Sequence, residues 1–227
     1  MIMEAKYQKI EKTVARELSC SAHAMEHVMR VYNLCLHLAK HELNVDLDIL
    51  KTAALLHDIA RVKEFNDKTG SIDHSALGAE MAEKIVGTLG YSEEKIAHVK
   101  HCIAAHRFRG KVKPQTKEAK ILFDADKLDV LGAIGVARSF MIAGQYGQKI
   151  YSDISIQEYL KDNVVGEKAD GRVRDISKHT PDLEFELKFK HVLERLYTQK
   201  AREIAKERVQ FMENFFEKLK REIKGEL

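Results

Sequence analysis

Apolar residues recur at three- and four-residue spacings along almost the whole chain, and only Pro114 and Pro181 interrupt its 227 residues as prolines. That period lines one face of a helix, and a chain with so few breakers has little to stop helices from forming. The strong helix formers Ala, Leu, Ile, Glu, Lys and Arg are abundant, so the predicted fold class is all-α. The spacing places helices over about 2–18, 22–41, 46–61, 73–88, 92–108 and 116–143, then a long C-terminal stretch over about 183–223, with ends good to about two to four residues. Asp73 and Ser92 suit helix N-caps, Gly90 suits a stop, and Pro114 closes a basic turn.

The length fits a single domain over 1–227, with a helical core at about 20–143, a polar insert at about 144–181 and C-terminal helices at about 183–223. The insert carries Gly144, Gly147, Gly166 and Gly171, and its helical signal is confined to Ile156–Leu160. A connection of that length is commonly a lid, and a plain surface excursion fits equally well. Beyond it, Leu187, Val192, Leu196, Ile204, Met212, Phe215, Leu219 and Ile223 trace an apolar stripe that must bury against something. The N-terminal helices or a second copy of the chain would both serve, so a homo-oligomer is one of two expected outcomes.

Thirty-eight basic and 35 acidic residues leave a net charge of +3, too small for a global field that would attract nucleic acid or an anionic membrane. No specific nucleic-acid partner is therefore expected. Cys20, Cys35 and Cys102 are odd in number and form no CxxC pair, which reads as buried thiols in a reducing compartment. The N-terminal segment MIMEAKYQKIEK lacks a signal peptide's apolar run, and no stretch reaches a membrane span. The expected location is the cytoplasm, with no membrane partner.

Chemistry concentrates where the histidines do, since nine of the eleven fall between His23 and His106. In ILKTAALLHDIAR, His57 follows Leu50, Ala53 and Ala54 at spacings of seven, four and three, which puts it on the apolar face beside its neighbour Asp58. In KEAKILFDADKLD, Asp126 follows Ala119, Leu122 and Phe123 at the same spacings, a costly place for a carboxylate unless something compensates it. His27 aligns with Val31, Leu34 and Leu38; His74 opens a stripe of Leu77, Gly78, Met81 and Ile85; His106 closes one of Val99, Cys102 and Ile103. Any one such histidine is more often a hydrogen-bonded core residue than a ligand. Polar groups pointing inward from several helices, however, are how a helical bundle builds a metal site. Imidazole with carboxylate suits zinc, iron, manganese, nickel or cobalt alike. His37, His41, His179 and His191 read as surface residues.

The order of His27, then the adjacent His57 and Asp58, then Asp126 resembles the H…HD…D signature of the HD superfamily, in contexts HAMEHVMRV, AALLHDIAR and DADKLDVLGAIGVAR. The resemblance covers about 20–140 and implies an HD-domain helical bundle with additional C-terminal helices and a metal-dependent phosphohydrolase activity. It makes His27, His57, Asp58 and Asp126 ligands of a divalent ion (Mn, Fe, Co, Ni, Zn or Mg), and gives Lys127 a substrate phosphate. His74 and His106, with His101 as a rival, match loosely the histidines that hold a second ion in dinuclear members. Asp58 would also orient the attacking water, His23 or His106 would protonate the leaving oxygen, and Arg61, Arg107 and Arg109 are candidate phosphate clamps. Small stand-alone relatives suggest nucleotide substrates, including cleavage of a nucleoside triphosphate to monophosphate and pyrophosphate. The sequence has no GxxxxGK[ST] loop. Two other readings stay open at this point: a di-iron HD-type oxygenase, and a non-enzymatic metal-stabilised binding or oligomerisation module.

Overall fold

The computed structural model describes residues 4–18, 22–108, 110–169 and 171–226, the side chains of 22–24 apart. Cys20, the His23 side chain and Arg109 lie outside the described residues. The chain is all-α: among the described residues there is no β-strand, and Val164 and Val173 form an isolated antiparallel bridge. No single helix there is long and apolar enough to cross a membrane.

Two compact units divide the chain, the first comprising 1–127 and 197–201, the second 128–196 and 202–227. In the first unit, α1 (Ala5–Glu17), α2 (Ala22–Ala39) and α6 (Glu93–Ala105) pack on α3 (Leu47–Leu56), and α5 (His74–Gly87) packs on α6 and on the short α4 (Arg61–Asn66). The central position of α3 follows from its composition: Ile49, Leu50, Ala53, Ala54, Leu55 and Leu56 are all buried, so it is apolar nearly all round. Asp46 caps its start by accepting the amides of Asp48 and Ile49. The predicted caps on the next helices are present too, with Asp73 accepting from Ser75 and Ala76 and Ser92 from Lys95. Gly90, at φ +76°, turns the chain after α5. Cys35 and Cys102 are buried free thiols.

Two predicted helices are each broken. The span expected over 46–61 ends at Leu56, turns through 57–60 and resumes as α4, so the His-Asp pair stands at a helix end and not in mid-helix. The span expected over 116–143 is α7 (Lys117–Leu128) followed by α8 (Gly132–Gln145). Gly132, at φ +72°, opens α8 in a left-handed conformation that an uninterrupted helix does not hold, and the helix expected to reach about 108 ends at Ala105, within the stated margin.

In the second unit, α9 (Ile156–Asn163) starts on a capping box between Ser155 and Glu158 and runs past the predicted Leu160. Its Tyr159, with Val164, joins a buried cluster with Leu183 and Leu187 of α10 (Pro181–Leu187). The predicted C-terminal stretch is three elements: α10, a 3-10 helix over Phe189–Arg195, and α11 (Gln199–Ile223). Met212 and Phe216 of α11 are buried, Phe216 stacking on Phe185 at 5.1 Å, whereas Ile223 is exposed. Leu187, Val192, Leu196 and Met212 of the predicted stripe are buried as expected, but Phe216 takes the inward place expected of Phe215, and Ile223 falls outside the buried face.

His179, expected at the surface, is buried. Its Nδ1 lies 2.5 Å from the Tyr159 hydroxyl and its Nε2 2.5 Å from a Glu184 oxygen, which also accepts from Lys188 at 2.6 Å. His37, His41 and His191 are exposed as expected.

Candidate metal centre

All the polar residues predicted to face inward from α2, the turn after α3, the start of α5 and the end of α6 meet in the first unit. The break after Leu56 matters here. On a continuous helix neighbouring residues diverge by about 100°, and the turn instead lets His57 and Asp58 face one place. His27 Nε2 lies 3.2 Å from His57 Nε2, 3.6 Å from Asp58 Oδ2 and 3.3 Å from Asp126 Oδ1. On the other side of the same carboxylate, Asp58 Oδ1 is 3.5 Å from both His74 Nε2 and His106 Nε2, which are 3.3 Å from each other. Two trios of donors therefore share Asp58: His27 with His57, and His74 with His106.

The outward ring nitrogens are committed. His57 ends α3 and donates its Nδ1–H back to the Ala54 carbonyl at 2.8 Å; His106 ends α6 and donates likewise to Ile103 at 2.6 Å. His74 has its Nδ1 at 2.8 Å from Glu64 Oε2. The Arg61 Nη1 stands 3.2 Å from the same nitrogen, but a carboxylate at the shorter distance requires the proton to lie between ring and Glu64, so His74 donates and Arg61 is a neighbour. Each of these rings then presents an Nε2 lone pair inward.

His74 and His106 thus point lone pair at lone pair, an arrangement that repels unless a cation or proton lies between. Ligands bound at about 2.0 Å to one tetrahedral ion sit roughly 3.3 Å apart, the spacing of both histidine pairs here. The donor set fits divalent ions.

Electrostatics agree. Burial pushes His57 down to about 4, with His106 and His27 acting the same way against Asp58. Burial also lowers His74. Burial alone would raise Asp58, but His57, His106 and His27 outweigh it and hold the carboxyl well below its ordinary range. Asp126 is lowered in the same manner by Lys127, His27 and His57. Neutral rings and ionised carboxylates are the forms that ligate metal.

The remaining predicted residues are distributed as follows. Lys127 donates to Asp126, with its ammonium 5.3 Å over the Phe123 ring and 5.9 Å over Phe108. Arg61 and Arg107 are both paired with Glu64, and Arg107 also with Asp73 at 3.0 Å. His101 is not brought to the cluster: its Nε2 accepts the Gln115 amide. His106, considered for proton donation, has both nitrogens engaged as described. Sequence reasoning missed Glu64. Burial would raise its carboxyl, and His74, Arg61 and Arg107 hold it below the ordinary range. The available signal was its i,i+3 spacing from Arg61 just after the dyad.

The chain matches the family model described as HD domain over residues 24–131. It is 31% identical to the protein YpgQ of Bacillus subtilis over 209 residues, which is 90% of this chain and 86% of that one. The crystal structure of YpgQ in complex with ADP matches with a TM-score of 0.69 and 28% identity, covering 96% of this chain and 94% of that chain. An HD-superfamily hydrolase from Bacillus thuringiensis matches at 28% identity and TM-score 0.69, over 97% and 99% of the two chains. The 3'-5' exoribonuclease YhaM of Bacillus pumilus is 28% identical over 134 residues, 52% of this chain and only 43% of the exoribonuclease. Similarity of that extent, in sequence and in fold together, shows that the chain belongs to the HD superfamily.

Proposed function

We propose that this chain is a metal-dependent phosphohydrolase that cleaves a phosphate ester or anhydride of a nucleotide. The observation that carries the reading is the division of Asp58, whose Oδ2 faces His27 and His57 while Oδ1 faces His74 and His106. His27, His57, Asp58 and Asp126 would hold one divalent ion, and Asp58 with His74 and His106 would hold a second. An ion there supplies positive charge to a phosphoryl group and to water, which is what hydrolysis at neutral pH requires.

The protein's own groups do the rest. Asp58 and Asp126 fix the negative charge that retains the cations. Lys127, its stem buried beside Phe123, is poised to exchange Asp126 for a phosphate oxygen. Arg61, half of whose side chain is exposed, and Arg107 stand beside His74 as the phosphate clamp. His23 is the proposed proton donor to the leaving oxygen. Nucleotide binding is supported by the complex of YpgQ with ADP. Cleavage of a triphosphate to monophosphate and pyrophosphate is one form the reaction would take.

The test is a screen of phosphate and pyrophosphate release from nucleotides by the protein loaded separately with Mn, Fe, Co, Ni, Zn and Mg, alongside elemental analysis. Release that depends on added metal and disappears in Asp58→Ala is the expected result. A protein that releases neither product, while its iron form consumes dioxygen, would instead be the oxygenase; one that does neither would be the binding module.

A further inference from the structure

We propose that Glu64 is a positioning residue: it sets the His74 ring so that Nε2 faces the cation position and holds the Arg61 and Arg107 guanidiniums beside it. The inference rests on the hydrolase reading above. His57 and His106 terminate helices, where backbone carbonyls of the preceding turn are within reach of Nδ1. His74 is the first residue of α5, and a helix start offers free N–H groups and no such carbonyl. A side chain must therefore perform for His74 what Ala54 and Ile103 perform for the other two rings, and α4 delivers one. Glu64 Oε2 accepts from His74 Nδ1 at 2.8 Å and from Arg61 at 2.9 Å; Oε1 accepts from Arg107 at 2.8 Å and from the His74 amide at 3.4 Å.

The position of Arg61 makes the carboxylate indispensable. Its Nη1 is 3.2 Å from His74 Nδ1, so with the carboxylate gone the guanidinium becomes the donor to that nitrogen. The ring proton then moves to Nε2, and the ring ligates a cation only after that tautomer is reversed. One carboxylate thus decides which tautomer His74 adopts, and at the same time anchors two cationic groups suited to phosphate.

Glu64→Ala and Glu64→Gln are the variants, the second retaining an amide oxygen as acceptor. Histidine tautomers in the metal-free protein are read by long-range proton–nitrogen NMR, and Mn²⁺ binding by calorimetry. In Glu64→Ala, His74 should carry its proton on Nε2, and one Mn²⁺ position should weaken by roughly 10–100-fold while the other stays within about twofold. Glu64→Gln should keep the Nδ1–H tautomer and lose less. At saturating Mn²⁺ the kcat of Glu64→Ala should recover, but KM for the nucleotide should remain raised because Arg61, turned to the His74 ring, and Arg107, left with Asp73, no longer share a carboxylate. An unchanged tautomer, wild-type affinity at both positions, or equal weakening of both would each overturn the role given to Glu64. Wild-type protein that takes up none of Mn, Fe, Co, Ni, Zn and Mg would sink the hydrolase reading instead, and the His74 tautomer would still decide whether Glu64 sets the ring.

Discussion

His27 and His57 meet Nε2 to Nε2 at 3.2 Å, with His57 wholly buried and its other nitrogen tied to Ala54. The cation proposed above would bridge the two rings. His57→Ala should abolish metal retention, as should Asp126→Ala, measured by elemental analysis after desalting. Chelation of the wild type should lower its thermal midpoint, with a loss of about 3 kcal/mol when the metal was present at about 100 times its Kd.

Lys127 touches the site through Asp126 and is backed by the Phe123 ring. Lys127→Ala should keep its metal and lose turnover by about 10²–10³-fold, the size expected for one group that stabilises developing charge. Metal loss in this variant would mean that the lysine holds Asp126 in place and does not act on substrate.

Asp48 gathers four donors in the first unit: Lys6 at 2.5 Å, Tyr7 at 2.8 Å, Tyr91 at 2.7 Å and Lys95 at 3.1 Å. Burial would raise its carboxyl, but these donors together pull it far below the ordinary value. A depressed folded-state pKa contributes stability that is fully present above the unfolded value of about 3.9 and is lost as pH falls through the folded one. Asp48→Asn should cost about 2 kcal/mol at neutral pH. The gap between variant and wild type should narrow in denaturation curves taken below about pH 4, where only the variant lacks the acid-dependent loss.

His179 bridges Tyr159 of α9 to Glu184 of α10. Replacing it by alanine strands a hydroxyl and a carboxylate in the second unit and should cost about 2–3 kcal/mol. A double-mutant cycle with Tyr159→Phe should recover part of that loss; strict additivity would show that the two side chains do not interact.

Helical phase placed His57 and Asp126 inward from residues that are indeed buried, Leu50, Ala53 and Ala54 for one and Ala119, Leu122 and Phe123 for the other. The all-α class and the Asp73 and Ser92 caps were legible for the same local reason. The breaks after Leu56 and Leu128 were not, since apolar spacing continues through both and the interruption is made by tertiary packing and by the left-handed Gly132. His179 and Glu64 were missed because their partners are supplied by other segments of the chain. No period within one helix reports that a glutamate will reach a histidine ten residues further on.

The backbone carbonyls of Ala54 and Ile103 each orient an imidazole from the last turn of its own helix. Orientation supplied by the main chain needs no partner side chain, so it travels with the helix end. A protein engineer could therefore transplant such an end, a histidine closing a helix and bonded three residues back, as a portable ligand for a new coordination site in an unrelated bundle.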